Sequence, residues 1–383
     1  DPDTTANQLN RDLIKIRDWS HFWKLKFGAD KSRDLIFSNI THNNTLQVFF
    51  NNEPIKRVTQ HKHLGIILTS NLNFDTHVHS VCLRTNAKLA VLRSVKGLQR
   101  KTLDILYKIT VRSIIDYAMP VYFGTLNESS KQRLSQIQYR AAKIVTGALH
   151  WSSAIKLNID LGWESLEKRF EFLGLTLFHK IRCYQTRPLV RQCMPQPNND
   201  SNHSLRNRIP YKYFPYHNKN FNNSFFPWFT KKYCNLNKSI RCQKDLDDFK
   251  TSLKALIKPE RHKFFNYGSK KGCALATQLR VGRTKLNGHS FAIGLAQSSL
   301  CDCLHPCESI CHHLTSCFLY QPERQILYSK VKQFIPNFES LSDSKKTNIL
   351  LYGVSNNDPD FYNTNVKIQL ALQHFLLTTK RFD

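Results

Sequence analysis

The stretch "SSLCDCLHPCESICHHLTSCFLY", residues 298–320, holds five cysteines and three histidines. No other part of the chain restricts local geometry as tightly. Thiols and imidazoles this dense must be cross-linked, share a metal ion or be packed away as small apolar groups. Disulfide frameworks belong to oxidising surroundings and usually to small secreted domains. This chain has 383 residues, and Asp1 opens a polar run with neither a basic n-region nor an apolar core. The expectation is a reducing compartment, nuclear or cytoplasmic and not secreted, where such a cluster means zinc more often than disulfide.

Zinc asks for four thiolate or imidazole ligands in a tetrahedron, and a short spacing lets one turn supply two of them. Cys301, Cys303, His312 and Cys317 form one such set, C-x-C-x8-H-x4-C. Cys303, Cys307, His312 and Cys317 form another, C-x3-C-x4-H-x4-C. His313 is an alternative to His312, and Cys311 can displace either. The competing reading is a cysteine-rich helix buried without metal.

Charge bounds the partner. Lys and Arg total 56 against 28 Asp and Glu, a net charge of +28. An excess of this size favours a polyanion, because neutralising phosphates releases condensed counterions. Nucleic acid is the leading candidate. A membrane surface usually shows as one basic amphipathic helix, whereas here the charge is spread over the whole chain. The most apolar helical stretch, "ILYKITVRSIIDYAMPVYF", carries Lys108, Arg112 and Asp116. No membrane partner is expected.

Along the chain, Leu9, Leu13, Ile16, Trp19 and Trp23 recur at helical spacing and predict an amphipathic helix that packs on a core. From "KLKFGADKSRDLIFS" to "HKHLGIILTS" the runs shorten, broken by Gly28, residues 41–45 and "FNNEPI", and predict a small sheet. Helices follow. Leu103, Leu106, Thr110, Ile114 and Ala118 share one face of the first; Leu134, Ile137, Ala141, Ile144 and Ala148 share one face of the second. On the second, Arg133 and Arg140 stand seven residues apart with Lys143 nearby, a basic ridge suited to a phosphate backbone or simply solvated. Residues 187–230 interleave basic and aromatic side chains. They read either as an arm that stacks on unpaired bases or as a segment whose aromatics plug a neighbouring groove. "CQKDLDDFKTSLKALI" and "VKIQLALQHFLLTTKRF" predict two further helices, the second closing the chain.

With these segments in order, the chain resembles the carboxy-terminal part of a jockey-like non-LTR retrotransposon reverse transcriptase. "WSHFWKLKFGADKSRDLIFS" and "HKHLGIILTSNLNFDTHV" look like the end of the family's palm. "LYKITVRSIIDYAMPVYFG" and "LSQIQYRAAKIVTGA" look like its thumb helices. "FNNSFFPWFTKKYCNLNKSI" is similar to its post-thumb stretch, and "LRVGRTKLNGHSFAIGLAQSSLCDC" to the run into its terminal Cys/His knuckle. The resemblance implies an α+β fold: a small palm-remnant sheet (1–80), a mainly helical thumb (81–186), a post-thumb linker and helix (187–258), and a C-terminal region with a zinc-knuckle-like segment (259–383). It implies contact with RNA, RNA/DNA duplex or target DNA through Lys31, Arg133, Arg140 and Lys143, and structural zinc on Cys301, Cys303, His312 and Cys317.

Polymerisation needs carboxylates that hold two metal ions. In the family, part of that site is a Phe or Tyr, one residue, then two aspartates, a pattern that this sequence does not contain. Asp247 and Asp248 in "DLDDFK" lack the aromatic and sit in a charged helical pattern. The expectation is therefore no catalytic residue in this chain and no activity alone, with Mg2+ and the upstream palm and fingers belonging to the full-length parent. A stand-alone zinc-dependent nucleic-acid binder, or a translated relic, is the alternative. Asp358 and Asp360 raise a nuclease, but the few residues after them are too short for a further core.

Overall fold

A computed structural model describes residues 2–27, 32–37, 47–184, 188–198, 210–215, 217–257, 262–354 and 360–382. Lys31, Gly28, residues 41–45 and Asp358 lie outside them. The fold is mainly helical. The expected small sheet resolves into three separate two-stranded pairs: Arg33–Asp34 parallel to Lys56–Arg57, Phe49–Phe50 antiparallel to Glu53–Pro54, and Gln60–His63 antiparallel to Ile66–Thr69. The last is a two-residue hairpin with positive φ at Leu64 and Gly65, 46° and 85°. That turn twists the way its strands do. Tyr117 Oη donates to Leu64 O at 2.7 Å and ties the hairpin to the helices.

The helix Pro2–Phe22 forms where the periodicity predicts, but not with the packing expected of it. Trp19 is 53% exposed and Trp23 59%, with Leu9 and Ile16 also open to solvent. A pattern of apolar residues fixes a helix's apolar side without supplying a partner for it.

Two cores follow. The first is built from Asp75–Ser94, Arg100–Tyr107, Glu128–Thr146, Ala154–Leu161, Leu166–Cys183, Phe225–Cys234 and Leu246–Ile257, and buries Val78, Tyr107, Leu134, Trp163, Phe178, Phe229 and Phe249. Asn127 caps Glu128–Thr146 by accepting from the Ser130 amide, and Gly147 ends it at φ +67°. A Cβ at Gly147 would also stand 2.8 Å from Ala274 Cβ, so this stop doubles as a close approach to the next unit.

The second core joins Ile310–Thr315, Gln321–Lys332, Asp343–Tyr352 and Phe361–Thr378 around Leu314, Leu327, Phe338, Leu350 and Leu372. One helix, Lys270–Val281, serves both: Val281 packs in the first core and Leu279 in the second.

Two sequence expectations change here. The helix after Leu103 is not continuous. It widens to a π-turn over Lys108–Arg112 and breaks before Ala118, which sits at φ +53°. Its deepest face is Leu103, Tyr107, Val111, Ile115 and Met119, whereas Leu106, Thr110, Ile114 and Ala118 are half-buried. In the segment after residue 187, Phe225–Cys234 is a helix, with Phe229 fully buried against Phe170 and Tyr233 against Phe178 and Phe249. Tyr211, Phe225, Phe226, Trp228 and Phe229 plug the first core, while Tyr213 stays exposed. Asp247 and Asp248 are exposed in the first turn of their helix, where Asp245 accepts from both their amides. That is capping chemistry.

Candidate metal centre

Four side chains converge at the base of the second core. Sγ of Cys301, Cys303 and Cys317 and a ring nitrogen of His312 all lie within 4.8 Å of one another. Cys301 Sγ and Cys317 Sγ are 3.7 Å apart. Two 2.3 Å zinc–sulfur bonds at the tetrahedral angle set sulfurs about 3.8 Å apart, so this edge already has the size of a zinc site. Cys303 Sγ lies 3.1 Å from His312 Nε2.

Local sequence explains the convergence. Leu304, at φ +68°, donates its amide to Cys301 O at 2.8 Å, and the Cys301 amide donates to His305 O at 3.0 Å. The chain thus folds back on itself between Cys301 and His305, with Cys303 inside the turn. Ser309 caps Ile310–Thr315 by accepting from the His312 amide at 3.1 Å, which orients the histidine on a short helix. One turn on, the Cys317 amide donates to His312 O at 2.9 Å, bringing the last sulfur beneath it.

Around the four ligands stands a supporting layer. Ser316 Oγ is 3.2 Å from His312 Nδ1, leaving Nε2 for the cluster. Arg324 donates to Cys317 O. Glu308, buried, receives both Nε and Nη2 of Arg381 at 2.6 Å and the Asn287 amide at 2.6 Å. That clamp fixes the loop against the end of the chain. None of these partners is visible in the spacing, apart from the Ser309 cap three residues before His312.

The electrostatics suit a cation. Burial pushes the Cys301 thiol up to about 12, and Cys303 and Cys317 beside it add to the rise. Burial also raises Cys317. Cys303 moves down: burial opposes this, but the His305 backbone and the thiols of Cys301 and Cys317 favour its thiolate. Burial, then His305, holds His312 below its ordinary value and so neutral. A neutral imidazole and, at Cys301 and Cys317, thiols that ionise only with help are groups a divalent metal would convert to ligands while releasing protons. This Cys3His group could hold a metal such as zinc.

The alternatives lie elsewhere. Cys307 is exposed, with its sulfur 2.8 Å from where a Cβ on Gly288 would stand. Cys311 Sγ lies 3.8 Å from Thr315 Oγ1. His313 faces the core, its ring 5.3 Å from Phe375 and 5.4 Å from Phe382. His305 stacks on His312 at 4.0 Å.

The basic ridge lies on Glu128–Thr146, packed against Asp75–Ser94. Arg133 and Arg140 are exposed and Lys143 half-buried. Arg133 Nη2 donates to His79 Nδ1 at 3.2 Å, Arg140 Nη1 to Asn86 Oδ1 at 3.3 Å, and Lys143 Nζ sits 4.3 Å over the Tyr139 ring. Arg133 also acts electrostatically on Asp75 and helps lower that carboxyl, whereas Arg140 and Lys143 contact Asn86 and the Tyr139 ring.

No described helix is long and apolar enough to cross a membrane. No family model matches the chain, and no solved structure matches it. It is similar to the "Probable RNA-directed DNA polymerase from transposon X-element" of Drosophila melanogaster, 24% identical over 160 residues. The match covers 41% of this chain and 17% of that protein, so it spans a small part of the relative's length. The relationship to a transposon reverse transcriptase is distant and partial.

Proposed function

We propose that this chain is the nucleic-acid-handling rear part of an RNA-directed DNA polymerase from a non-LTR retrotransposon. In this reading residues 1–80 are the end of the palm, 81–186 the thumb, 187–258 the post-thumb region and 259–383 the knuckle region. Zinc sits on Cys301, Cys303, His312 and Cys317. Arg133, Arg140 and Lys143 lie along the phosphate backbone of RNA or an RNA/DNA duplex, and Lys31 corresponds to a family lysine near the active site of the longer protein. The carboxylates and Mg2+ of synthesis belong to the upstream palm and fingers of a longer protein, working in the nucleus or cytoplasm.

One observation carries the reading: four soft ligands, spread over 17 positions, lie within 4.8 Å of each other on a chain of net charge +28. The distant likeness to a transposon polymerase supports the same direction. The test is binding of the zinc-loaded chain to RNA and RNA/DNA duplex over a salt series, beside a primer-extension assay. The reading expects steeply salt-dependent binding and no extension. Metal-dependent synthesis by this chain, or binding insensitive to salt, would contradict it.

A further inference from the structure

A cleft of about 790 Å³ opens where three separate stretches of chain meet: residues 68–74 at the end of the hairpin, the helix Met119–Tyr122 with Thr125 beyond it, and residues 218–224. Its size is that of a small-molecule site. Phe37, Leu68, Leu72, Phe74, Val121 and Phe221 supply the apolar lining. Leu72 is 46% exposed and Val121 49%, so the cleft is open to solvent.

The walls are fixed by the chain itself. Leu72 sits at φ +54°, in a turn closed by its own amide on Thr69 O at 2.9 Å and by Thr69 Oγ1 on Asn73 O at 2.6 Å. Glycine would take that conformation without strain, and a half-exposed leucine there is unfavourable in both backbone and solvation. On another side, a Cβ at Gly124 would stand 2.4 Å from Asn223 O, so residues 218–224 are seated directly against the helices.

Polar lining decides what fits. Asn71 Oδ1 receives the Asn73 amide at 3.0 Å, and Asn218 Oδ1 receives the Phe221 amide at 2.8 Å. Both carboxamides are thereby oriented with their oxygens in use, and their NH2 groups remain to donate. Lys219 adds one ammonium, which also acts on exposed Glu128. No carboxylate is among the described lining residues. Donors beside an apolar wall ask for an acceptor on an apolar body, and one cation matches one negative charge. A nucleic-acid strand would want a row of cations, which this cleft lacks.

We infer that this cleft binds a small aromatic monocarboxylate, its ring among the phenylalanines and its carboxylate held by Asn218 Nδ2 and Lys219 Nζ. The inference stands apart from the zinc and nucleic-acid reading. Its test is a fluorine NMR titration of the full chain with a fluoronaphthoate and with the matching uncharged fluoronaphthyl alcohol. The acid should bind saturably at one site per chain, about tenfold more tightly than the alcohol. Asn218→Asp keeps the oxygen that accepts from the Phe221 amide and replaces the NH2 with a second carboxylate oxygen, so the local fold is retained. It should weaken the acid about tenfold and leave the alcohol as in the parent. Val121→Trp, which fills the mouth of the cleft, should weaken both about tenfold. Absence of saturable binding, an acid no tighter than the alcohol, or parent-like acid binding in Asn218→Asp overturns the inference. Parent-like binding of both probes in a folded Val121→Trp chain places them elsewhere and overturns it as well.

Discussion

Arg280 Nε lies 2.6 Å from Asp160 Oδ1, joining a helix shared by the second core to one packed in the first. Arg100 Nη2 approaches the other oxygen of the same carboxylate at 2.7 Å, and all three residues are buried. Arg280 also stacks on Phe265 at 3.8 Å and donates to Gln369 Oε1 at 3.1 Å. The basic ridge and the Cys/His cluster are therefore carried on units locked through one aspartate.

Asp160→Asn leaves two buried guanidinium groups sharing a neutral amide. Breaking such a buried network costs about 3–5 kcal/mol, so urea unfolding should shift to markedly lower concentration. Burial alone would raise the Asp160 carboxyl, but Arg100 and then Arg280 hold it at about 2. Its contribution is fully present above the unfolded carboxylate value near 3.9 and is lost as pH falls toward 2. An Asn variant as stable as the parent at pH 7 would contradict the joint.

His179 sets a second pH dependence, in a higher window. It is buried, stacked on Phe249 at 3.8 Å, and burial, reinforced by Arg182, lowers its pKa from 6.5 to about 4. The folded chain refuses a proton that the unfolded chain accepts. Stability is therefore full above pH 6.5 and declines as pH falls to about 4, by on the order of 3 kcal/mol. His77, also lowered to about 4 by burial, adds a parallel decline. His179→Phe should narrow the difference between urea midpoints at pH 7.5 and 4.5; an unchanged difference would assign the effect elsewhere.

Gly174 tests the docking of Phe225–Cys234. A Cβ there would stand 1.8 Å from Phe229 Cζ. Helix propensity alone would reward Gly174→Ala by about 1 kcal/mol, but overpacking a buried ring costs about 1–3 kcal/mol or more. Packing should win, and the thermal midpoint should fall. A rise would mean that this helix does not seat on Leu166–Cys183.

These tests also mark what could be read in advance. Glu128–Thr146 was legible from the helical spacing of Leu134, Ile137, Ala141 and Ile144, while its Asn127 cap and Gly147 stop emerge only in the structure. In the preceding helix Leu106 was chosen over the buried Tyr107 ahead of the π-turn, and the π-turn over Lys108–Arg112 then rotates every later side chain and leaves no trace in composition. At Trp19 the helix was legible but its exposure was not, because periodicity names a face and not its partner. In the metal centre, C-x-C with His312 and Cys317 was one of several permitted sets. What gathers this set is tertiary: His313 turns toward Phe375, and Glu308 is held by Arg381 from 73 residues away.

The basic ridge has its own signature. Arg133→Gln with Arg140→Gln removes two exposed cations that contact His79 and Asn86. Each lost phosphate contact should lower the slope of log affinity against log salt by about 0.9 on duplex. A slope drop near 2, with weakening uniform across sequences, is expected. An unchanged slope would make the ridge a solvated face.

The most direct measurement of the central claim is zinc K-edge X-ray absorption on the purified full chain, with metal content determined on the same sample. The account predicts one zinc per chain with three sulfurs at about 2.3 Å and one nitrogen at about 2.0–2.1 Å, and loss of that sulfur shell's count on Cys317→Ser. No zinc, or a spectrum unmoved by Cys317→Ser, would contradict it.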